Sequence, residues 1–176
     1  MNTVEYGKAL FLLADEESIS DRIRSEGELI KQVLAENPKY ITLLDTPSIS
    51  GSEKHALLDV AFKDLHPHLL NFLKILVTKR CIYLFPRMLS AYCAAYDEKN
   101  NILHASAVTA VEMTAAQKES LTKKLSDMTR KTVVLQCIVD PSVIGGVKLQ
   151  FDGKQLDSSM EAQLASIRTM LKQTNL

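Results

Sequence analysis

A chain of 176 residues is long enough to bury a core, as one domain or as two small ones. Its 46% hydrophobic and 24% charged residues are ordinary for a globular protein, and 21 Lys and Arg balance 21 Asp and Glu. That neutrality argues against nucleic-acid binding, which needs a basic excess on at least one face. No apolar run reaches the ~18 residues that span a bilayer, because Lys74 and Arg87 interrupt the best candidates. The N-terminus carries Glu5 early and lacks a basic lead, so no secretory signal is expected. Cys81, Cys93 and Cys137 are odd in number and widely spaced, which reads as reduced, core-filling thiols. Membrane association is therefore expected only through a partner.

The first predicted element is a helix over Val4–Asp15. Plotted at about 100° per residue, Ala9, Leu13, Tyr6, Leu10, Ala14, Gly7, Phe11 and Val4 fill one arc wider than a single core requires. By itself such an arc reads as a short helix sunk into a bundle. A second helix over Ser20–Glu36 carries Ile23, Leu29, Ile30, Val33 and Leu34, and Asn37-Pro38 ends it. Tyr40–Leu44 reads as one or two helical turns. Ser52 is expected to cap a fourth helix whose buried set is Leu57, Leu58, Ala61, Phe62 and Leu65. Pro67 opens a fifth, with Leu69, Phe72, Leu73, Leu76 and Val77 on its core side. Ile75 falls on the other side, among Asn71, Lys74, Thr78 and Lys79. Pro86 starts a sixth helix bearing Met88, Leu89, Tyr92, Cys93 and Tyr96.

Polar residues from Asp97 to Asn101 mark a change of regime, and a boundary is expected near His104. Beyond it, Ala105–Val111 reads as a strand. Thr114 and Gln117 form a capping box for a helix with Leu121, Leu125 and Met128 inward. Thr132–Val139 is an apolar run of the kind found in buried strands. Val147, Leu149 and Phe151 alternate with Lys148 and Gln150 in a further strand, and Asp152-Gly153 signals a tight turn into a second short one. Ser158 and Glu161 form another capping box, and Met160, Leu164, Ile167 and Leu171 line one side of a last helix. The expected class is mixed: a six-helix bundle over residues 1–104, then a small α+β domain over 105–176 in the order β-α-β-β-α.

Candidates for chemistry are few. Gly145-Gly146 could expose amides to a phosphate, yet no Walker or dinucleotide pattern surrounds it and a strand follows. A backbone kink explains the pair better. His55, His66, His68 and His104 share no ligand spacing, and His66 and His68 flank a proline as solvated or capping residues. Cys81 follows Lys79-Arg80, which could lower its pKa, but no partnering base can be named. Asp152 and Asp157 are accounted for by a turn and a helix start. No active site, cofactor or metal is expected. Two other classes stay in view: a small enzyme with an inter-domain pocket, and a nucleic-acid module on the sheet. Phe151 is the only aromatic in the strand set, which counts against the module.

One further feature is a resemblance. Ile144-Gly145-Gly146 before the alternating strand, Asp152-Gly153, and Asp157-x-Ser159 resemble the C-terminal signature of the delta subunit of F-type ATP synthases, whose mitochondrial form is the oligomycin-sensitivity-conferring protein. Tyr6-Gly7-Lys8-Ala9-Leu10-Phe11 is similar to that family's Tyr-Ala-x-Ala-Leu-Phe opening. Gly7 stands for the common Ala, and Ser158 for a common Gly. The likeness runs over essentially the whole chain. It implies a non-catalytic stator component that couples the catalytic headpiece to the peripheral stalk, so that proton or sodium flux drives ATP synthesis. It implies that helices one and five form a groove for the amphipathic N-terminal segment of an alpha subunit, through Tyr6, Ala9, Leu10 and Leu13 with Asn71, Ile75 and Thr78. The small α+β domain would contact the C-terminal region of the b subunit. Without an Arg-rich leader the chain is expected to be bacterial, peripheral at the cytoplasmic face of the cell membrane.

Overall fold

The computed structural model describes residues 2–143, 146–151 and 154–157, the last four by their backbone. The chain divides into two compact units, Met1–Glu98 and Lys99–Leu176. The combination is an α+β protein.

In the first unit, six α-helices contribute to one buried cluster: α1 (Thr3–Glu16), α2 (Ser20–Glu36), α3 (Pro38–Asp45), α4 (Gly51–Ala61), α5 (Pro67–Thr78) and α6 (Phe85–Lys99), with a 3-10 turn at Ile82–Leu84 before α6. Local chemistry sets most helix starts. Asn2 Oδ1 accepts from the Val4 amide (3.2 Å), and prolines occupy the first turn of α3 and α5, where a missing N–H costs nothing. The cap of α4 is Ser50, not the expected Ser52. Ser50 Oγ accepts from the Glu53 amide (3.3 Å), and Glu53 Oε2 accepts from the Ser50 amide (3.0 Å). The buried stripe of α4 also differs from expectation. Leu58 and Phe62 are buried, but Leu57 and Ala61 face out and Lys54 is buried in line with them. A lysine stem can fill an apolar row at i, i+4, i+8, which a hydrophobicity pattern does not count.

Helix α1 divides its wide arc. Gly7, Leu10, Phe11 and Ala14 are buried, while Val4, Ala9 and Leu13 are not. The contact with α6 depends on Gly7, where a Cβ would lie 2.2 Å from the Met88 carbonyl oxygen, 2.7 Å from Ala91 Cβ and 2.9 Å from the Tyr92 nitrogen. Phe11 then meets Tyr92 edge-to-face at 5.6 Å, and the Tyr92 hydroxyl donates to the Ser20 carbonyl at 2.9 Å.

The second unit is a four-stranded sheet in the order β2-β1-β3-β4: β1 (Ile102–Thr109), β2 (Thr132–Val139), β3 (Val147–Phe151) and β4 (Lys154–Asp157), with α7 (Ala115–Thr129) between β1 and β2. β1 pairs parallel with β2, Ile102 opposite Thr132, and antiparallel with β3, Ala105 opposite Phe151. Helix α7 covers one sheet face through Leu121 and Leu125, against Leu103, Ala105, Val133, Leu135 and Phe151.

Several expectations change here. β1 begins at Ile102, so the expected boundary at His104 falls inside a strand, and the division lies ahead of it. His104 is polar because it points away from the α7 face, between buried Leu103 and Ala105. β2 is not buried but an edge strand, its even-numbered residues on the uncovered face. Met128 is exposed, because α7 turns it away from the sheet. Among the described residues the order runs β-α-β-β-β: the short strand expected after Asp152-Gly153 is β4, antiparallel to β3, and the five-element order β-α-β-β-α leaves it uncounted. Ile144-Gly145, Asp152-Gly153 and the last helix from Ser158 lie outside the described residues. Gly146 has φ 85°, a conformation that side-chain-bearing residues rarely adopt, at the start of β3.

Gly7→Ala improves helix propensity but forces a methyl into the α6 backbone. A net loss of about 1–3 kcal/mol is expected, read as a lower urea midpoint at unchanged slope. Alkaline pH tests the core. Burial pushes the Cys81 thiol up against the opposing charge of Lys79, burial also raises Cys93, and burial raises the Tyr92 hydroxyl far above its usual range. Above the ordinary thiol value of 9.0 the unfolded chain releases protons that the folded chain retains. Stability is thus expected to fall as pH rises from 8 to 10.5. The urea midpoint across that range checks this, and Cys93→Ala should make the decline shallower.

Candidate functional site

Helices α1 and α5 line one trough between them. At one end, His68 Nε2 is 2.8 Å from Glu17 Oε2. His68 belongs to the first turn of α5, whose start is fixed by His66: its ring Nδ1 accepts from the His68 amide (3.3 Å), and its own amide donates to Glu26 of α2 (2.7 Å). Between the two helices runs an apolar trough of about 420 Å³. Tyr6, Ala9, Leu10 and Leu13 line it from α1, and His68, Asn71, Phe72 and Ile75 from α5, with Glu5 at the α1 margin.

The trough holds a gradient of burial. Leu10 (5% exposed) and Phe72 form its floor, while Leu13 (38%) and Ile75 (47%) stand at its lips. A floor of sealed apolar groups under half-exposed aliphatic lips is the form of a site that takes a helix's apolar stripe. Ile75 stands outside the α5 stripe of Leu69, Phe72, Leu73, Leu76 and Val77, which are turned to the unit's own core.

Six of the seven residues nominated from sequence share this trough. Thr78 does not. It lines a neighbouring hollow of about 580 Å³ on the far side of Ile75, with His55, Asn71, Lys74 and Lys79. The Thr78 hydroxyl is already engaged, donating to the Lys74 carbonyl (2.8 Å) and lying 3.1 Å from His55 Nε2. Sequence reasoning passed over His68, Phe72 and Glu5. The signal for His68 was present: positions 68, 71, 72 and 75 follow the i, i+3, i+4, i+7 period of one helix side. His55 comes from α4, and no local pattern could have placed it beside α5.

Nothing in the trough is arranged for chemistry. Cys81, the one thiol beside basic residues in sequence, is buried, donates to the Leu76 carbonyl (3.3 Å) and has its pKa raised by burial, the reverse of an activated nucleophile. Among the described residues no cluster of His, Cys, Asp or Glu could hold a metal ion.

The model of the ATP synthase delta (OSCP) subunit matches residues 3–171. This chain belongs to that family. ATP synthase subunit delta of Lacticaseibacillus paracasei is 30% identical over 167 residues, covering 94% of this chain and 92% of the relative. The subunit delta of Geobacillus sp. (strain WCH70) is 32% identical with 94% of both covered, and that of Rhodobacter capsulatus 32% with 96% and 91% covered. A chain of the Toxoplasma gondii mitochondrial ATP synthase hexamer, solved by cryo-EM, has the same fold, with a TM-score of 0.72 over 97% of both chains at 20% identity. The resemblance of the two termini is thus borne out over the whole chain, and the inter-domain enzyme has no support among these relatives. The trough is accordingly a feature of an ATP synthase delta-family chain.

Truncation separates the floor from the lips. Leu10→Ala is expected to cost about 2–5 kcal/mol by opening a cavity. Ile75→Ala should stay within about 0.5 kcal/mol, as an exposed position does. Urea unfolding of the two variants measures both.

Proposed function

We propose that this chain is the non-catalytic delta subunit of its ATP synthase, joining the catalytic headpiece to the peripheral stalk, and that the α1–α5 trough receives the N-terminal amphipathic helix of an alpha subunit. The observation that carries the second part is the apolar trough with Leu13 and Ile75 left at its lips. A self-contained bundle gains nothing from such lips, whereas a partner helix laid between them buries both. Membership of the delta (OSCP) family supplies the partner class.

In this reading the helical unit, Met1–Glu98, grips the alpha subunit, and the unit from Lys99 onward carries the contact with the C-terminal region of b. A stator resists rotor torque through packed modules and broad non-covalent contacts, and needs no cofactor. Among the described residues no helix is long and apolar enough to cross a membrane, which fits a subunit held at the cytoplasmic face of the cell membrane by its neighbours.

Calorimetric titration of the full chain with a synthetic peptide of the first twenty or so residues of the alpha subunit from the same organism tests the groove. Saturable 1:1 binding is expected. Ile75→Asp and Leu13→Asp should each weaken it at least about tenfold, about 1.4 kcal/mol, with circular dichroism unchanged. Equal affinity in both variants would remove the trough from the interface.

A further inference from the structure

The hollow beyond Ile75 is continuous with the trough, since Asn71 and Ile75 line both, but its chemistry differs. The trough is apolar. The hollow is lined by Lys74, Lys79 and His55, with no carboxylate in its wall. Lys74 Nζ is held by Asp59 at 2.6 Å, and His55 is held against Thr78. Lys79 is exposed just past the end of α5, near the last carbonyls of that helix. Its ammonium therefore stands on the flank of the trough with solvent access, and no salt bridge to it is found among the described residues.

Charge and continuity together constrain what lies in the groove. A helix seated with its apolar stripe between Leu13 and Ile75 must pass a second row of its side chains over Ile75 and above the hollow. Residues three and four apart on a helix share a side, so that row is a set of positions flanking the apolar stripe. We propose that the hollow selects carboxylates: the occupying helix bears Asp or Glu on the flank that overlies α5 and α4, and Lys79 discriminates it from helices of equal hydrophobicity. Glu5 at the opposite, α1 margin sharpens the choice, because it disfavours the same acids on the other flank. The apolar trough thus provides affinity, and the basic hollow provides selection and steering. This inference rests on the groove reading above and assigns the charge of its occupant.

Two designed 18-residue helical peptides with the same Leu/Ile stripe serve as probes, one with Glu at the flanking positions and one with Lys. Their affinities for the full chain are measured in about 20 mM and about 500 mM salt, where screening lengths differ several-fold. The Glu peptide is expected to bind at least about fivefold tighter in low salt, with the gap closing in high salt. Lys79→Glu should abolish or invert the preference while leaving the high-salt affinity of both peptides unchanged. Equal low-salt affinities, or a preference untouched by Lys79→Glu, would overturn the selection while leaving the groove reading standing. If neither peptide binds, or if Ile75→Asp leaves binding of both intact, the groove reading falls and the selection falls with it.

Discussion

Helix α1 can serve two surfaces because its backbone lies almost against that of α6. The separation at Gly7 leaves no room for a methyl group, so this contact is one of main chain on main chain. It fixes the rotation of α1 about its own axis. Phe11 and Ala14 are driven inward, Phe11 onto the Tyr92 ring, and Tyr6, Leu10 and Leu13 are left toward α5. A larger separation would let α1 roll, and the floor and lips of the trough would no longer be distinct. The family's usual alanine at this position would demand a slightly wider approach, so the glycine here defines a tighter local solution.

Polar contacts hold the same frame from outside. Tyr92 ties α6 to the start of α2, Tyr96 reaches Asp21, and the Arg24 guanidinium lies 4.6 Å from the Tyr96 ring centre. Glu26 links α2 to the first residue before α5, and Glu17 links the end of α1 to His68. These bonds are modest singly. Their placement matters more than their strength, since the start of α5 and the end of α1 are tethered while the middle of the trough is left apolar and open.

What the sequence made legible follows the period of the elements. On α5 the split between Ile75 and the five core residues is a clean helical pattern, and the structure has the same split. On α4 the pattern misleads, because Lys54 completes the interior row of Leu58 and Phe62 while Leu57 and Ala61, which apolar counting also places inside, face out. β2 misleads differently: an uncharged run of Val, Leu and Ile suits a strand buried on both faces, yet in this sheet it lies at the edge. No residue of β2 reports its neighbours, so strand order had to come from the fold. The trough was legible because both its walls are single helices with readable faces. The hollow was not, because it needs His55 from a third.

The order of strands in the sheet has a consequence for synthesis. β1, the first strand made, lies between two partners that follow it, and β2 begins only after the 15-residue α7 has been completed. At roughly 5–20 residues per second, both hydrogen-bonding edges of β1 stay vacant for roughly a few seconds before β2 is complete. The helical unit, being wholly upstream, can already be assembled by then, so the nascent chain carries a finished domain ahead of an unpaired one.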